Sequence, residues 1–244
     1  MAKKSLNPGG VLARLVKAAM VVLLLPAVIG MLDATARHLD AIALHSRMAG
    51  YWVNWGFLSY VGVHLILVRP RPIFHASHRI FAVVAAWLFG GHVTSVEDGT
   101  GPTGAKRRKS STADDETVST AAGSPLVAFS PYVIPFYTIL ICGIAALARR
   151  WIEQPLIEVP AAFLVGLTMA FHWIMTADDL QEQRDQWHIE TYLLAISLVF
   201  LLTLVLTLIC LPWAIPQVSF SAVMSDGAAR SQAIYDALFG QLFR

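Results

Sequence analysis

Charge is what this sequence has least of. Asp, Glu, Lys and Arg make up 14% of its 244 residues, against 56% hydrophobic residues and a mean hydropathy of +0.60. A soluble domain carries about 25% charged residues because its surface must be solvated, so an ordinary soluble surface is excluded. Cysteine is nearly as scarce. Cys142 and Cys210 are the only two, both inside apolar runs. That excludes a disulfide framework and leaves neither with partners at zinc-ligand spacing. No internal repeat is present. The first apolar stretch also lacks a small-residue cleavage pattern, since Met31-Leu32-Asp33 stands at its end. Lys3 and Lys4 therefore read as the flank of a retained anchor, not of a cleaved signal peptide. The basic residues are scattered at the ends of apolar runs and the net charge is only +2, which gives no basis for a nucleic-acid partner.

What the sequence has instead is long apolar runs. Residues 191–213 contain no charged side chain, and a helix of that length crosses the ~30 Å hydrocarbon layer. Residues 12–32 are interrupted only by Arg14 and Lys17, near one end, where long basic side chains snorkel to the interface. Residues 48–68 are uncharged, with Tyr51, Trp52 and Trp55 placed like an aromatic belt. Residues 126–148 and 159–177 follow. A sixth run, 80–96, is shorter and contains Gly90-Gly91, which fits either a crossing or a re-entrant segment. The expected fold is an all-α integral membrane protein of about six hydrophobic helices, because backbone groups in lipid must bond within their own segment. Residues 1–213 would form the polytopic membrane domain and 214–244 a tail.

Two stretches depart from this pattern. Residues 97–124 are rich in Gly, Ser, Thr and charge, with Lys106-Arg107-Arg108-Lys109 ahead of Asp114-Asp115-Glu116. They read as a solvated polar loop outside the hydrocarbon, with contact to anionic headgroups as the alternative. The tail places Ile234, Leu238 and Leu242 at helical spacing, with Phe239 and Phe243 adjoining. That pattern suits an interfacial amphipathic helix or one packed on a partner. Lys3, Lys4, Arg14 and Lys17 favour a cytoplasmic N-terminus. The side on which the 97–124 loop then falls depends on whether 80–96 crosses, and the Lys and Arg balance does not separate the two.

Ionisable groups in hydrocarbon are expensive and need a reason. His64, His75, His78, His92 and His172 all lie in apolar segments or at their ends. His75 and His78, three apart after Pro70 and Pro72, would share one side of a helix's first turn and could share a metal. Two interfacial histidines bonded to water or lipid phosphate are the plainer reading. His172 sits within the fifth run, followed by Asp178, Asp179, Glu182, Arg184 and Asp185 where the run ends. A solvated helix end explains those charges but not His172.

Three segments in order resemble a known family. His78-Arg79-Ile80-Phe81, running on to Gly90-Gly91-His92-Val93, resembles the segment after the zinc motif in bacterial site-2-protease-like membrane metallopeptidases. There a HExxH helix leads into an apolar stretch, a Gly-Gly turn and a short polar hairpin. Phe129-Ser130-Pro131-Tyr132-Val133-Ile134-Pro135-Phe136-Tyr137 resembles the "APYxxPLY" segment of one branch of that family. Ala170-Phe171-His172-Trp173 with Gln183-Arg184-Asp185 resembles that branch's "AFH…QxD" signature. The resemblance covers about residues 50–213.

It implies a helical membrane fold with a zinc site, in which His78, His172 and Asp185 are the matching positions. Asp185 would be a carboxylate ligand and His172 a ligand or supporting group, with His75 a further donor peculiar to this chain. The motif itself is degenerate: Phe74-His75-Ala76-Ser77-His78 puts phenylalanine at the first histidine and histidine at the glutamate. The family's hydrolysis needs both histidines as ligands and the glutamate as general base.

Three functional readings follow. The first is a catalytically degenerate relative serving as a binding or structural subunit for another membrane protein, with no cofactor. The second is an active metallopeptidase with an altered zinc-ligand set of His75, His78, His172 and Asp185. The third is a small transporter or channel using Asn54, His64 and His172. The family points to the bacterial inner membrane.

Overall fold

The computed structural model describes residues 8–44, 47–66, 73–74, 76, 80, 132–152, 154–182 and 188–242. Contacts divide the chain into two units, Met1–Arg71 with Val133–Arg244, and Pro72–Tyr132.

The described part of the first unit is helical apart from one small hairpin. Helix α1 (Pro8–Asp40) is followed by the strands β1 (Ala43–Leu44) and β2 (Arg47–Met48), then by α2 (Ala49–Ile66). Further along lie α3 (Phe136–Ala148), α4 (Gln154–Glu182), α5 (Ile189–Ala214) and α6 (Phe220–Leu242). The hairpin, antiparallel with Ala43 opposite Met48 and Leu44 opposite Arg47, is an addition to the expected all-helical fold. It reverses the chain between two long helices, and the Ala49 N–H closes it by donating to the Ile42 carbonyl at 2.7 Å.

Of the apolar runs, three become helices long and apolar enough to cross a membrane: Leu12–Asp40, Leu156–Gln181 and Ile189–Ala214. Within the run 48–68, residues 49–66 form α2, whose 18 residues include Asn54, His64 and several Tyr and Trp. The run 126–148 is not one uninterrupted helix, because the helix breaks at Ile134 and Pro135 and α3 starts at Phe136. Proline donates no backbone hydrogen bond and disfavours helical geometry in the residue before it. The 13 residues of α3 span about 20 Å, well short of the ~30 Å hydrocarbon layer. Residues 81–96 and the polar stretch 97–124 lie outside the described residues.

Helix α4 is central, with α2, α3 and α5 packed around it, while α1 lies against α5 and α6. The core joins Ala161, Ala162 and Val165 of α4 to Cys142 and Ala145 of α3, and Leu204, Leu208 and Leu211 of α5. At one end, Arg14 and Lys17 of α1 reach the start of α5. Arg14 bonds His188 at 2.9 Å and pairs with Glu190 at 3.4 Å, and Lys17 donates to the Thr191 hydroxyl at 2.9 Å.

At the other end, α6 turns back along α1 in antiparallel fashion. Gly227 meets Met31, Ser231 meets Gly30, and the Tyr235 hydroxyl donates to the Leu23 carbonyl. Arg230 binds Asp33 at 2.5 Å and Asp226 at 2.9 Å, and His38 stands 3.8 Å from Asp226. From Arg14 to Asp33 the helix rises about 28 Å. Between them Leu15, Val16, Met20, Val22, Leu25 and Ile29 are all exposed.

In the second unit the described residues are Ile73, Phe74, Ala76, Ile80 and Tyr132, all helical. Phe74 is 1% exposed, whereas Ile73 and Ile80 are exposed.

Candidate functional site

A cluster of polar side chains lies where α2 crosses α4. The two helices run in the same direction, Val53 level with Gly166 and His64 with Asp178. Two glycines permit the approach. A Cβ on Gly56 would overlap the Phe163 carbonyl oxygen, and one on Gly166 would overlap that of Val53. Backbones in such contact are typical of small-residue crossings between apolar helices. Tyr60 and His64 follow Gly56 at intervals of four, so they share its face and are carried onto α4.

His64 stands between a phenol and a carboxylate. Its Nε2 is 3.6 Å from Asp178 Oδ2, an ion-pair distance when the imidazole is protonated, with the two side chains 14% and 22% exposed. Its Nδ1 is 3.5 Å from the Tyr60 hydroxyl, at the outer limit of a hydrogen bond. The Tyr60 ring meets Phe171 edge-on at 5.4 Å, and Tyr137 of α3 meets the same ring at 5.5 Å. Phe171 thereby ties α2, α3 and α4 together. Next to it His172 is buried, at 6% exposure. The Thr176 hydroxyl, one turn further on the same face, is buried with no hydrogen-bond partner among the described residues.

The break before α3 packs against the middle of α4 and α5, where buried backbone groups need partners. A threonine supplies one. The Thr203 hydroxyl donates to the Val133 carbonyl at 3.0 Å, and Thr138 and Thr168 join α3 to α4 through their hydroxyls at 3.1 Å. Thr138 and Thr203 are fully buried. Thr203 thus bonds a backbone carbonyl next to the break, while Thr138 is paired with another hydroxyl and fastens α3 to α4.

Of the metal candidates, His172 is placed in the interior of α4, whereas His75, His78 and Asp185 lie outside the described residues. Among the described residues no three His, Cys, Asp or Glu side chains gather as a metal site. His64 and Asp178 supply two donors, fewer than the three protein ligands that even a catalytic zinc retains. What the pair can do chemically is hold or pass a proton, since a carboxylate, an imidazole and a phenol stand in series. Sequence reasoning singled out His64 and Asp178 separately but missed their pairing and missed Tyr60. The usable signal was the spacing of four between Tyr60 and His64 in a helix with no Asp, Glu, Lys or Arg. The chain matches no family model, no curated protein and no solved structure.

Proposed function

We propose that this chain is an integral protein of the bacterial inner membrane, serving as a non-hydrolytic binding or structural subunit on a site-2-protease-like scaffold. The observation that carries the reading is Phe74. At the position where the family has its first zinc-binding histidine, this chain has a phenyl ring 1% exposed, a side chain that packs and donates nothing to a metal. His75 stands where the general base belongs, and loss of a positioned base typically costs ~10²–10⁴ in rate. Membrane residence is supported by α1. Its polar ends are separated by about the thickness of the hydrocarbon layer, and its exposed surface between them is apolar. Those outward faces suit the bilayer and a second membrane protein.

Zinc content and cleavage of a membrane-embedded reporter test the proposal on the reconstituted full chain. The parent should cleave nothing. The double variant Phe74→His with His75→Glu, which rebuilds the motif, should bind zinc more tightly than the parent. Robust, chelator-sensitive cleavage by the parent would overturn the proposal in favour of an altered-ligand metallopeptidase.

A transporter is the second reading, favoured by the break at Ile134 and Pro135, close to Tyr137 and its ring contact with Phe171. Discontinuous helices of this kind line substrate sites in transporters. Flux of a monovalent cation or proton into proteoliposomes, abolished by His64→Phe, would establish that reading.

A further inference from the structure

The turn joining α3 to α4 carries two arginines that no described side chain neutralises. Arg149 keeps its Nε and Nη2 enclosed without a hydrogen-bond partner. Arg150 is exposed, and neither arginine pairs with a described carboxylate. Among the described residues, the buried acid in the first turns of α4, Glu158, is occupied otherwise, accepting from the Gln217 amide at 3.3 and 3.4 Å; Glu153, the residue before α4, lies outside the described residues. A buried cationic N–H left unpaired is costly, so an anion that reached Arg149 would be stabilising.

The surroundings identify the source of that anion. Trp151 is 74% exposed and Leu156 68%, and Ile152 and Leu147 on either side are exposed as well. Two cations set in an exposed apolar rim with a tryptophan form the pattern of a headgroup-level surface, where the indole lies at the interface and the aliphatic groups meet acyl chains. A carboxylate partner in water would leave this rim exposed.

Resting on the membrane reading above, we infer that the Arg149-Arg150-Trp151 turn is a binding site for the phosphate of an anionic phospholipid. The guanidinium fork of Arg149 takes two phosphate oxygens in parallel. It must turn outward to do so, and it breaks no hydrogen bond in turning, because Nε and Nη2 have none to lose. Arg150 adds a second charge at the rim, and Leu147 and Leu156 receive the chains.

The test uses the full chain in phosphatidylcholine nanodiscs containing a minor fraction of phosphatidylglycerol. Native mass spectrometry after mild detergent release reports which lipid the protein retains. Phosphatidylglycerol should be enriched on the parent. Enrichment should fall about fivefold in Arg149→Gln and about thirtyfold in Arg149→Gln with Arg150→Gln, corresponding to about 1 kcal/mol per charge. Arg149→Lys, which keeps the charge but not the fork, should fall between parent and Arg149→Gln. Arg47→Gln, a control at another exposed arginine, should leave enrichment unchanged.

Unaltered enrichment in the double variant overturns the inference, as does an equal loss in Arg47→Gln, which would mark a general surface-charge effect. Retention of a carboxylate-bearing peptide in place of lipid overturns it too. Failure of the parent to enter nanodiscs at all would overturn the membrane reading, and this inference with it.

Discussion

Two helix pairs in this molecule are fastened by different means. Where α2 meets α4, the backbones touch at Gly56 and Gly166 and the side chains beyond them are mostly aromatic. Where α6 meets α1, small residues also allow approach at Gly30 and Gly227 and Met31, Ala34 and Val223 are buried, but a cluster of charges is added. Arg230 is held between Asp33 and Asp226, with Arg37 and His38 alongside. The hydrogen bond from Arg230 to Asp226 pushes the guanidinium pKa still further up, so it stays charged throughout the accessible pH range. The first contact is steric and cannot be loosened by degrees. The second is partly solvated and can be screened. A contact that leans in part on partly exposed charges is also the one that local opening would release first.

Breaking the steric contact should have the largest effect. Gly56→Ala and Gly166→Ala each force a methyl into a carbonyl oxygen of the facing backbone, an overpacking cost of about 1–3 kcal/mol. Gly62→Ala, in the same helix α2 but facing open space, should instead be neutral or stabilising by up to about 1 kcal/mol. Thermal unfolding of the detergent-solubilised protein reads both. Equal loss in all three variants would show that α2 and α4 do not cross at these glycines.

Next in size is the charged contact. Arg230→Gln should raise hydrogen exchange across α6 while leaving α2 and α4 protected, and added salt should weaken the parent's α6 protection in the same direction. The exchanged pair Asp33→Arg with Arg230→Asp should recover part of it. If exchange rises equally in α2 and α4, the two contacts are one cooperative unit and the contrast fails.

Smaller still is the coupling between His64 and Asp178. At 3.6 Å and partly exposed, the pair should give a coupling of about 0.5–1 kcal/mol in a cycle of His64→Gln and Asp178→Asn. A coupling of zero would remove this pair from the site.

The smallest effect concerns the exposed end of α1. Lys17→Ala, which removes one hydrogen bond to Thr191, should shift stability by less than about 0.5 kcal/mol.

Much of the helical content was legible because long, uncharged apolar runs satisfy their backbone groups most simply as helices. The runs 12–32 and 191–213 correspond to α1 and α5, and 159–177 to the middle of α4. The break before α3 was legible in principle, since Pro131 and Pro135 interrupt the run 126–148, yet hydropathy alone passes over them. In the candidate site, His172 was singled out for standing in an apolar run, and it is buried. The partnership of His64 with Asp178 was not readable, because 113 residues separate the two on the chain and neither sits in a motif that points to the other.

The sequence by itself determined which segments are helical and apolar, through composition and length. Only the tertiary structure decided which face of each helix meets which neighbour. The physical reason lies in the solvent. In water an amphipathic helix displays its buried face as a stripe, but a helix with an apolar exterior is apolar all round, so its periodicity hides the inner face. What marks the inner face here is small volume and isolated polarity. Gly56 and Gly166 let two backbones touch, and His64, Asp178, Thr138 and Thr203 find their partners only once the helices are together.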